Sequence, residues 1–395
     1  MDRRKLFSDN VAHTSQEPLG LQIEFAKGVY LYDENNKPVL DLISGIGVNI
    51  LGHGHPSVVA AVKKQIDKYM HTMVYGECIL APQVELARML SEQLPDQLDS
   101  VYFANSGSEA VEGAIKLSRK LTRRYEIVSC RNAYHGSSLG ANSLLSVSNF
   151  TRAYRPMVPG IRFIDYNKLE DLERITKKTA AVIMETIQGE AGLINPGSQY
   201  LKAVGERCRE VGALMVLDEI QSGFGRTGYL FAFEKYGVIP DILLVGKAMG
   251  GGMPIAAFIS SKDKMKELAS KPELGHLTTF GGHPVNCAAA LATLKFLIEE
   301  NLVGTVPAKA RLLQSFLKHR VIKQVRSSGL WFALDLQSFD KVKRVVKAGL
   351  REGILIDWFL FNKESIRIAP PLVITDEEIR EAGRKLQIAL DDAIT

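Results

Sequence analysis

The sequence predicts an α/β protein in which a large domain, with a mostly parallel sheet covered by helices on both faces, precedes a small α+β domain. Three observations support this fold class. The 395 residues exceed what one simple core accommodates. Between residues 46 and 284, short β-rich runs alternate with helical stretches, as in parallel sheets. After Pro284 the alternation gives way to a mixed pattern, typical of a small second domain over residues 285–395.

The chain begins with an irregular lead-in, residues 1–45, which we expect to pack with the small domain. Within it, residues 28–33 and 38–42 read as a strand pair joined by a turn that contains two asparagines. Pro56 then begins a helix, because apolar residues recur after it at helical spacing.

In the rest of the chain, β-rich runs predict strands and periodic stretches predict helices. The predicted strands of the large domain are residues 101–103, 127–128, 180–184, 214–217 and 242–245. Its predicted helices include residues 108–121 and 199–211. In the small domain, helices are expected at residues 285–299, at 341–351 and from Asp376, and strands at 330–336, 354–356 and 365–369.

Composition argues against several classes of function. The longest apolar runs have the length of a strand, so we expect no membrane span, and no secretory signal is visible. The four cysteines are scattered, which favours reduced thiols and a cytoplasmic location. The net charge of +5 is small, and its basic runs lie on helix-like segments, so we expect no nucleic-acid partner. His53 and His55 have no third ligand nearby, so no metal is expected.

Ligands of open α/β sheets bind at the carboxyl ends of the strands, and three predicted ends carry unusual residues. The first opens a helix at residues 105–110, where backbone N–H groups could hold a phosphate. Ser106 and Glu109 also have the spacing of a simple capping box, and that alternative stays open. The second end carries Asp218 and Glu219, which need partners if buried, although a helix cap or an exposed strand end is also possible.

The third end carries Lys247, directly after a buried run. Lysine is rarely buried without a partner, and a desolvated lysine condenses with carbonyl groups. A lysine that extends from the strand into solvent is the alternative. Together, a lysine, a carboxylate such as Asp218 and a helix-start phosphate site are what pyridoxal phosphate requires, because the carboxylate keeps the pyridine nitrogen protonated. The combination therefore predicts a pyridoxal-phosphate enzyme.

Six motifs and Lys247, ordered at compatible spacing from about Gly45 to Pro371, resemble the class III (ω-amino-acid type) pyridoxal-phosphate aminotransferases. The acetylornithine and ornithine aminotransferases are the most similar group. The motifs are residues 51–56 (Leu-Gly-His-Gly-His-Pro), 105–110 (Asn-Ser-Gly-Ser-Glu-Ala), 134–136 (Tyr-His-Gly), 185–190 (Glu-Thr-Ile-Gln-Gly-Glu), 218–228 (Asp-Glu-Ile-Gln-Ser-Gly-Phe-Gly-Arg-Thr-Gly) and 279–284 (Thr-Phe-Gly-Gly-His-Pro). The resemblance implies a fold type I architecture.

The resemblance also implies roles around the cofactor ring. Lys247 would hold pyridoxal phosphate covalently and move a proton between the substrate carbon and the cofactor. Asp218 would pair with the pyridine nitrogen, and Gln221 would reach the ring oxygen. Tyr134 and Ile220 would cover the two ring faces, although an aromatic residue in the position of Tyr134 could also belong to the core.

For the phosphate, the resemblance implies binding at Ser106, Gly107 and Ser108. Thr279 would join them from the second subunit of a homodimer. For the substrate, Arg367 would hold an α-carboxylate, and Glu190 would pair with Arg367 whenever an ω-amine occupies the site. A permanent structural ion pair between Glu190 and Arg367 is the alternative.

The resemblance is weaker at two substrate positions. Relatives that act on ornithine or acetylornithine place an arginine for the distal carboxylate where this chain has Ser137. The ornithine enzymes also place a tyrosine where this chain has Gly45. Arg152 and Arg155 lie just downstream of Ser137 and are candidates to replace the missing cation. The choice of donor and acceptor is therefore open.

The resemblance implies transfer of an amino group from an ornithine-like or other ω-amino acid to 2-oxoglutarate, in amino-acid metabolism such as arginine biosynthesis. An aminomutase or racemase would use the same fold and cofactor without an oxo-acid acceptor. Another class III ω-aminotransferase, such as one that uses 4-aminobutyrate, is also compatible. A catalytically idle interaction protein is disfavoured, because Lys247 and Asp218 are both present.

Overall fold

The structure is a computed structural model, and it describes residues 3–394. Its helices are α1 (Arg3–Asn10), α2 (Ser44–Gly47), α3 (Pro56–Lys68), α4 (Ala81–Glu92), α5 (Gly107–Thr122), α6 (Leu139–Ser143), α7 (Ser148–Thr151), α8 (Tyr200–Val211), α9 (Lys262–Met265), α10 (Pro284–Glu299), α11 (Leu302–Ser315), α12 (Phe339–Glu352) and α13 (Asp376–Asp391). Its strands are β1 (Ile23–Lys27), β2 (Tyr30–Asp33), β3 (Pro38–Asp41), β4 (Ser100–Ala104), β5 (Glu126–Cys130), β6 (Ile161–Ile164), β7 (Thr179–Glu185), β8 (Leu214–Asp218), β9 (Ile242–Val245), β10 (Ala256–Ser260), β11 (Gln324–Ser327), β12 (Phe332–Asp335), β13 (Ile354–Leu355), β14 (Asp357–Trp358) and β15 (Ser365–Ile368).

A seven-stranded sheet in the order β4-β10-β9-β8-β7-β5-β6 forms the centre of the large part of the molecule. Every strand except β10 runs in the same direction. The strands β7 and β9 are buried along their whole length, which explains why their sequences contain continuous apolar runs rather than an alternating pattern. The predicted α/β class with a mostly parallel sheet is confirmed.

The register of this sheet brings the functional strand ends together. Glu185 at the end of β7 lies beside Asp218 at the end of β8. The backbone of Glu219 donates a hydrogen bond to the carbonyl of Leu244, close to the end of β9. As a result, the residues that follow β7, β8 and β9 lie at one edge of the sheet.

Two smaller four-stranded sheets complete the described structure. One is antiparallel, in the order β11-β12-β15-β14. The other joins β1, β2 and β3 to β13, and the β3–β13 pair is parallel. The lead-in therefore shares a sheet with a strand from the C-terminal part of the chain. Among residues 3–394, no helix is both long and apolar enough to cross a membrane.

The predicted strands and helices are present, but several elements of the structure were not predicted from the sequence. These are α1, α4 and α11, the edge strands β6, β11 and β14, and the antiparallel strand β10. The predicted domain limits at residues 45 and 284 stay predictions, and residues 1, 2 and 395 lie outside the described residues. The helix α10, which was expected to open the small domain, packs against α3 and α4.

Candidate active site

A cavity of about 260 Å³ lies at the carboxyl edge of the seven-stranded sheet. The predicted helix start and the strand ends that carry Asp218 and Lys247 all contribute to it. It is lined by Gly107, Ser108, Tyr134, His135, Gly136, Ser137, Glu185, Ile187, Asp218, Ile220, Gln221, Ser222 and Lys247. Three strand ends that are far apart in the sequence therefore meet at one site.

Asp218 is buried and held by two hydrogen bonds. Its Oδ2 lies 2.7 Å from Nδ1 of His135, and its Oδ1 accepts a hydrogen bond from the backbone N–H of Ile220 at 3.0 Å. In the sequence analysis, His135 appears only as part of the motif at residues 134–136, with no role of its own. The structure shows that His135 orients the carboxylate of Asp218 toward the cavity side of β8.

Lys247 lies two residues after the end of β9 and has a backbone φ of +45°, in the left-handed region that is uncommon for residues with a Cβ. Such strained backbone conformations cluster at functional sites. Burial lowers the pKa of the Lys247 ammonium, although Glu190 and Asp218 act in the opposite direction. A lowered pKa increases the fraction of the neutral amine, which is the form that reacts with a carbonyl group.

Two further buried carboxylates, Glu185 and Glu219, flank Asp218. In the sequence analysis, Glu219 was noted at the strand end, but neither residue was assigned a role. Glu185 accepts hydrogen bonds from the backbone N–H groups of Tyr134 and Gly189, at 3.0 and 2.8 Å. Burial raises its pKa to about 7. Glu185 therefore fixes the loop that carries Tyr134.

Glu219 points away from the cavity. Its carboxylate accepts hydrogen bonds from the Thr186 hydroxyl and from the backbone N–H groups of Ala232 and Phe233. Burial raises its pKa to about 7 as well. Of the two adjacent acidic residues at this strand end, Asp218 serves the cavity, and Glu219 stabilises the loop behind it.

The helix α5 begins at the cavity. Ser106 caps it by accepting a hydrogen bond from the backbone N–H of Glu109 at 3.2 Å. The Glu109 carboxylate accepts from the N–H of Asn105 instead of returning to Ser106, so only half of the capping box forms. Gly107 and Ser108 line the cavity, whereas Ser106 is not among the lining residues.

Two glycines let the walls of the cavity approach each other. Gly136 has a φ of +125°, and a Cβ there would lie 2.5 Å from Oγ of Ser108. A Cβ on Gly107 would lie 2.7 Å from Cδ1 of Ile220. Tyr134, Ile220 and Gln221 therefore reach the same cavity as the start of α5.

The predicted substrate residues form a buried cluster beside the cavity. Nη1 of Arg367 donates to Oε1 of Glu190 at 2.6 Å. The opposite edge of the guanidinium donates to Asp357 from Nε at 2.9 Å and from Nη2 at 2.6 Å. Burial disfavours the charged guanidinium, but the two carboxylates outweigh that effect and raise the pKa of Arg367. We call Glu190, Asp357 and Arg367 the Arg367 cluster. Asp357 was not predicted from the sequence.

The other predicted positions lie outside this cluster. Ser137 lines the cavity mouth, where its hydroxyl is 3.2 Å from that of Tyr134. Arg152 and Arg155 are exposed and do not line the cavity. Thr279 is also exposed and outside the cavity lining. At Gly45, φ is +59° and a Cβ would lie 3.0 Å from Nδ2 of Asn49, so a tyrosine there would require a strained backbone.

The cavity residues fit pyridoxal phosphate. The site offers the primary amine of Lys247, the buried carboxylate of Asp218, and the N-terminal N–H groups of a sixteen-residue helix that begins at Gly107. No group of three or more His, Cys, Asp or Glu side chains within residues 3–394 is arranged to hold a metal ion. These features define an α/β enzyme whose site suits a carbonyl-bearing phosphate cofactor.

Comparison with known proteins identifies the family. The family model for aminotransferase class-III matches residues 11–390. The chain is 38% identical over 383 residues to an acetylornithine aminotransferase of Caldanaerobacter subterraneus, with 93% of each chain covered. It is 35% identical over 378 residues to a LysW-aminoadipate semialdehyde/glutamate semialdehyde transaminase of Sulfolobus acidocaldarius, with 94% of this chain and 95% of that protein covered.

Among solved structures, the ornithine aminotransferase of Toxoplasma gondii superposes with a TM-score of 0.90 at 31% identity, covering 98% of this chain and 93% of that one. The chain belongs to the class III aminotransferases. The predicted fold type I architecture is thereby confirmed, as are the aminotransferase activity of the ω-amino-acid type and the cofactor, pyridoxal phosphate.

Proposed function

We propose that this enzyme transfers the terminal amino group of an ornithine-like ω-amino acid to 2-oxoglutarate, in amino-acid biosynthesis of the kind that leads to arginine. The names of its relatives, which act on acetylornithine, ornithine and semialdehydes, support this substrate class. The observation that carries the proposal is the Glu190–Arg367 pair beside Lys247. The pair can be closed or open, which gives the site one state for the amino donor and another for the oxo-acid acceptor.

In the first state, Glu190 is bound to Arg367, and the site receives an amine without a neighbouring carboxylate. In the second state, Glu190 leaves, and Arg367 holds the α-carboxylate of the oxo acid. Burial opposes ionisation of Glu190, but Arg367 and the N–H of Leu360 outweigh burial and hold the pKa of Glu190 below its usual range. Glu190 is therefore an anion that competes directly with a substrate carboxylate for the guanidinium.

We also propose a role for each residue of the cofactor site. Bound pyridoxal phosphate would supply an electron-accepting ring that stabilises negative charge at the substrate carbon. Lys247 carries the cofactor and moves the proton at that carbon. Asp218, oriented by His135, keeps the pyridine nitrogen protonated, and Gln221 contacts the ring oxygen.

The ring faces and the phosphate have separate groups of residues. In this proposal Tyr134 and Ile220 cover the two ring faces. Ser106, Gly107 and Ser108 hold the phosphate at the start of α5 through backbone groups, while the Ser106 hydroxyl caps the helix. We further propose a cytoplasmic homodimer in which Thr279 from one subunit completes the phosphate site of its partner; its exposure away from its own cavity supports this assignment.

A donor screen tests the substrate class. The holoenzyme is mixed with single amino donors, including ornithine, N-acetylornithine and 4-aminobutyrate, and the absorbance of the cofactor is followed before and after addition of 2-oxoglutarate or pyruvate. We expect ω-amino donors to change the spectrum and 2-oxoglutarate to restore it. Conversion of a donor to an isomer without any oxo acid would instead establish an aminomutase or racemase.

Borohydride reduction followed by peptide mapping tests the cofactor assignment, and the adduct is expected on the peptide that contains Lys247. An adduct on any other lysine would contradict it. Dilution tests the dimer: each isolated subunit would lack part of its phosphate site, so cofactor should be released as dimers dissociate. A monomer that keeps both cofactor and activity would disprove the shared site.

A further inference from the structure

Asp357 and Arg367 are partners by the register of the small antiparallel sheet. Asp357 on β14 lies directly opposite Arg367 on β15. The carboxylate accepts two parallel hydrogen bonds from Nε and Nη2, the bidentate geometry in which arginine binds carboxylates most strongly. Because both residues belong to paired strands, the backbone keeps Asp357 opposite Arg367 while the sheet is intact.

Glu190 holds Arg367 in a different way. It follows β7 in another sheet and accepts a single hydrogen bond from Nη1, while its other oxygen accepts from the backbone N–H of Leu360. The face of the guanidinium is covered by the ring of Phe359, whose centroid lies 5.2 Å from Cζ. Of the two carboxylates, Glu190 is therefore the one that a substrate can displace.

The donors of Arg367 are nearly all in use. A guanidinium has five N–H groups. Asp357 accepts from Nε and Nη2, the carbonyl of Trp358 accepts from Nη2 at 3.3 Å, and Glu190 accepts from Nη1. A substrate carboxylate can therefore approach only along the Nη1 edge, after Glu190 has left it.

Charge leads to the same conclusion. When Glu190 leaves, Arg367 and Asp357 remain as an ion pair with no net charge. An incoming carboxylate then meets a neutral pair instead of a free cation, which weakens the attraction. Within the cavity, Ser137 adds no charge.

We propose that Asp357 is a specificity-determining residue that acts through Arg367, occupying and neutralising the guanidinium so that substrate carboxylates bind there weakly and only by displacing Glu190. This inference rests on the proposed function, in which Arg367 receives the α-carboxylate of the oxo acid. It gives the preferred donors a chemical class: terminal amines with no carboxylate on the reacting carbon. Dicarboxylates compete poorly for the same space.

The test measures binding of glutarate, a dicarboxylate with no amino or oxo group, to the holoenzyme by calorimetry. Asp357→Asn is expected to tighten glutarate binding about tenfold, because the cluster loses one negative charge and Arg367 is then neutralised by Glu190 alone. Asp357→Ser is the second variant. The side-chain amide of asparagine can turn its NH2 group toward the donors of Arg367, whereas serine is smaller and avoids that repulsion. Asp335→Asn is the matched control, because Asp335 lies in the same sheet but pairs with Arg326 instead of Arg367; it should leave glutarate binding unchanged.

Steady-state kinetics provide a second readout, since Asp357→Asn should lower the KM for 2-oxoglutarate. In an Arg367→Gln background, the effect of Asp357→Asn on glutarate should disappear. If both Asp357 variants bind glutarate as weakly as the parent enzyme, or more weakly, Asp357 only supports the sheet and the inference is wrong. Failure of every ω-amino donor in the screen would refute the proposed function instead, because glutarate binding requires no turnover.

Discussion

The candidate site has two ends, the cavity that suits the cofactor and the Arg367 cluster beside it, and they are built in different ways. At the cofactor end, Asp218 is the last residue of β8, and Lys247 lies two residues after the end of the neighbouring strand β9. Each is preceded closely by an apolar run. The Arg367 cluster combines a loop after β7 with two short strands of another sheet. The cofactor end is therefore recognisable from local sequence, whereas the cluster depends on pairing between distant segments.

Electrostatics separate the two ends as well. Near the cofactor, Glu185 is held by backbone N–H groups, and burial raises its pKa to about 7. In the cluster, Glu190 faces a guanidinium that keeps its pKa low. At the cofactor end, burial favours the protonated form of the Glu185 carboxyl group. In the cluster, the Glu190 carboxylate stays ionised, and a substrate carboxylate can take its place. Variants at each end should therefore affect different kinetic constants.

The largest effect is expected at Lys247. Lys247→Ala removes the amine to which we assign the proton transfer, so kcat should fall by about two to four orders of magnitude for every donor. The loss should not depend on whether the substrate bears a carboxylate. Lys262→Ala, which alters a largely exposed lysine paired with Asp99, is the control and should keep the parent kcat. A donor-dependent loss at Lys247 would remove the distinction between the two ends.

Arg367→Ala should act selectively. It removes the cation between Glu190 and Asp357, and an unpaired buried charge typically costs about 3–5 kcal/mol. We expect kcat/KM for 2-oxoglutarate and L-glutamate to fall roughly 10²–10³-fold. An amine without a carboxylate, such as putrescine, should lose much less, which paired kinetic measurements will show. Equal losses for both kinds of substrate would mean that Arg367 supports the fold rather than the carboxylate.

The sequence predicted the cofactor end because each of its parts is local. An apolar run followed by a single lysine or aspartate is visible in a few residues, and Ser106 with Glu109 is visible within one helical turn. Asp357 is not visible in this way. Its role comes from cross-strand register between β14 and β15, and β14 is only two residues long. A two-residue strand has no periodicity to detect.

The missed elements have the same explanation. The strand β10 is antiparallel to both of its neighbours, so the repeating strand–helix pattern of a parallel sheet does not predict it. The edge strand β6 is only partly buried and carries an exposed Arg162. His135 was quoted within a motif, yet its bond to Asp218 spans 83 positions in the chain. Contacts of that kind become visible only when the sheet is assembled.

Ser137→Arg tests whether the mouth of the cavity lacks an anchor. A charged hydrogen bond to a carboxylate is typically worth about 1.5–3 kcal/mol, so the variant should lower the KM for 2-oxoglutarate roughly 10- to 100-fold. Because Ser137 lies beside Tyr134, Ser137→Gln serves as a control for size without charge. An unchanged or higher KM in Ser137→Arg would show that the distal carboxylate is held elsewhere. The cavity mouth would then no longer be the place where a carboxylate anchor is missing.

The smallest effect is expected at Ser106, where the cofactor end meets ordinary helix capping. Ser106→Ala removes the hydrogen bond from Glu109 N–H and should lower the free energy of unfolding by about 1 kcal/mol. Fraying of the first turn of α5 would then weaken cofactor affinity by no more than roughly fivefold. Ser106→Thr keeps a capping hydroxyl and should preserve both quantities, which thermal unfolding and cofactor titration measure. If Ser106→Ala weakens cofactor binding far more than it lowers stability, the hydroxyl contacts the phosphate directly, and its role reaches beyond the helix that it caps.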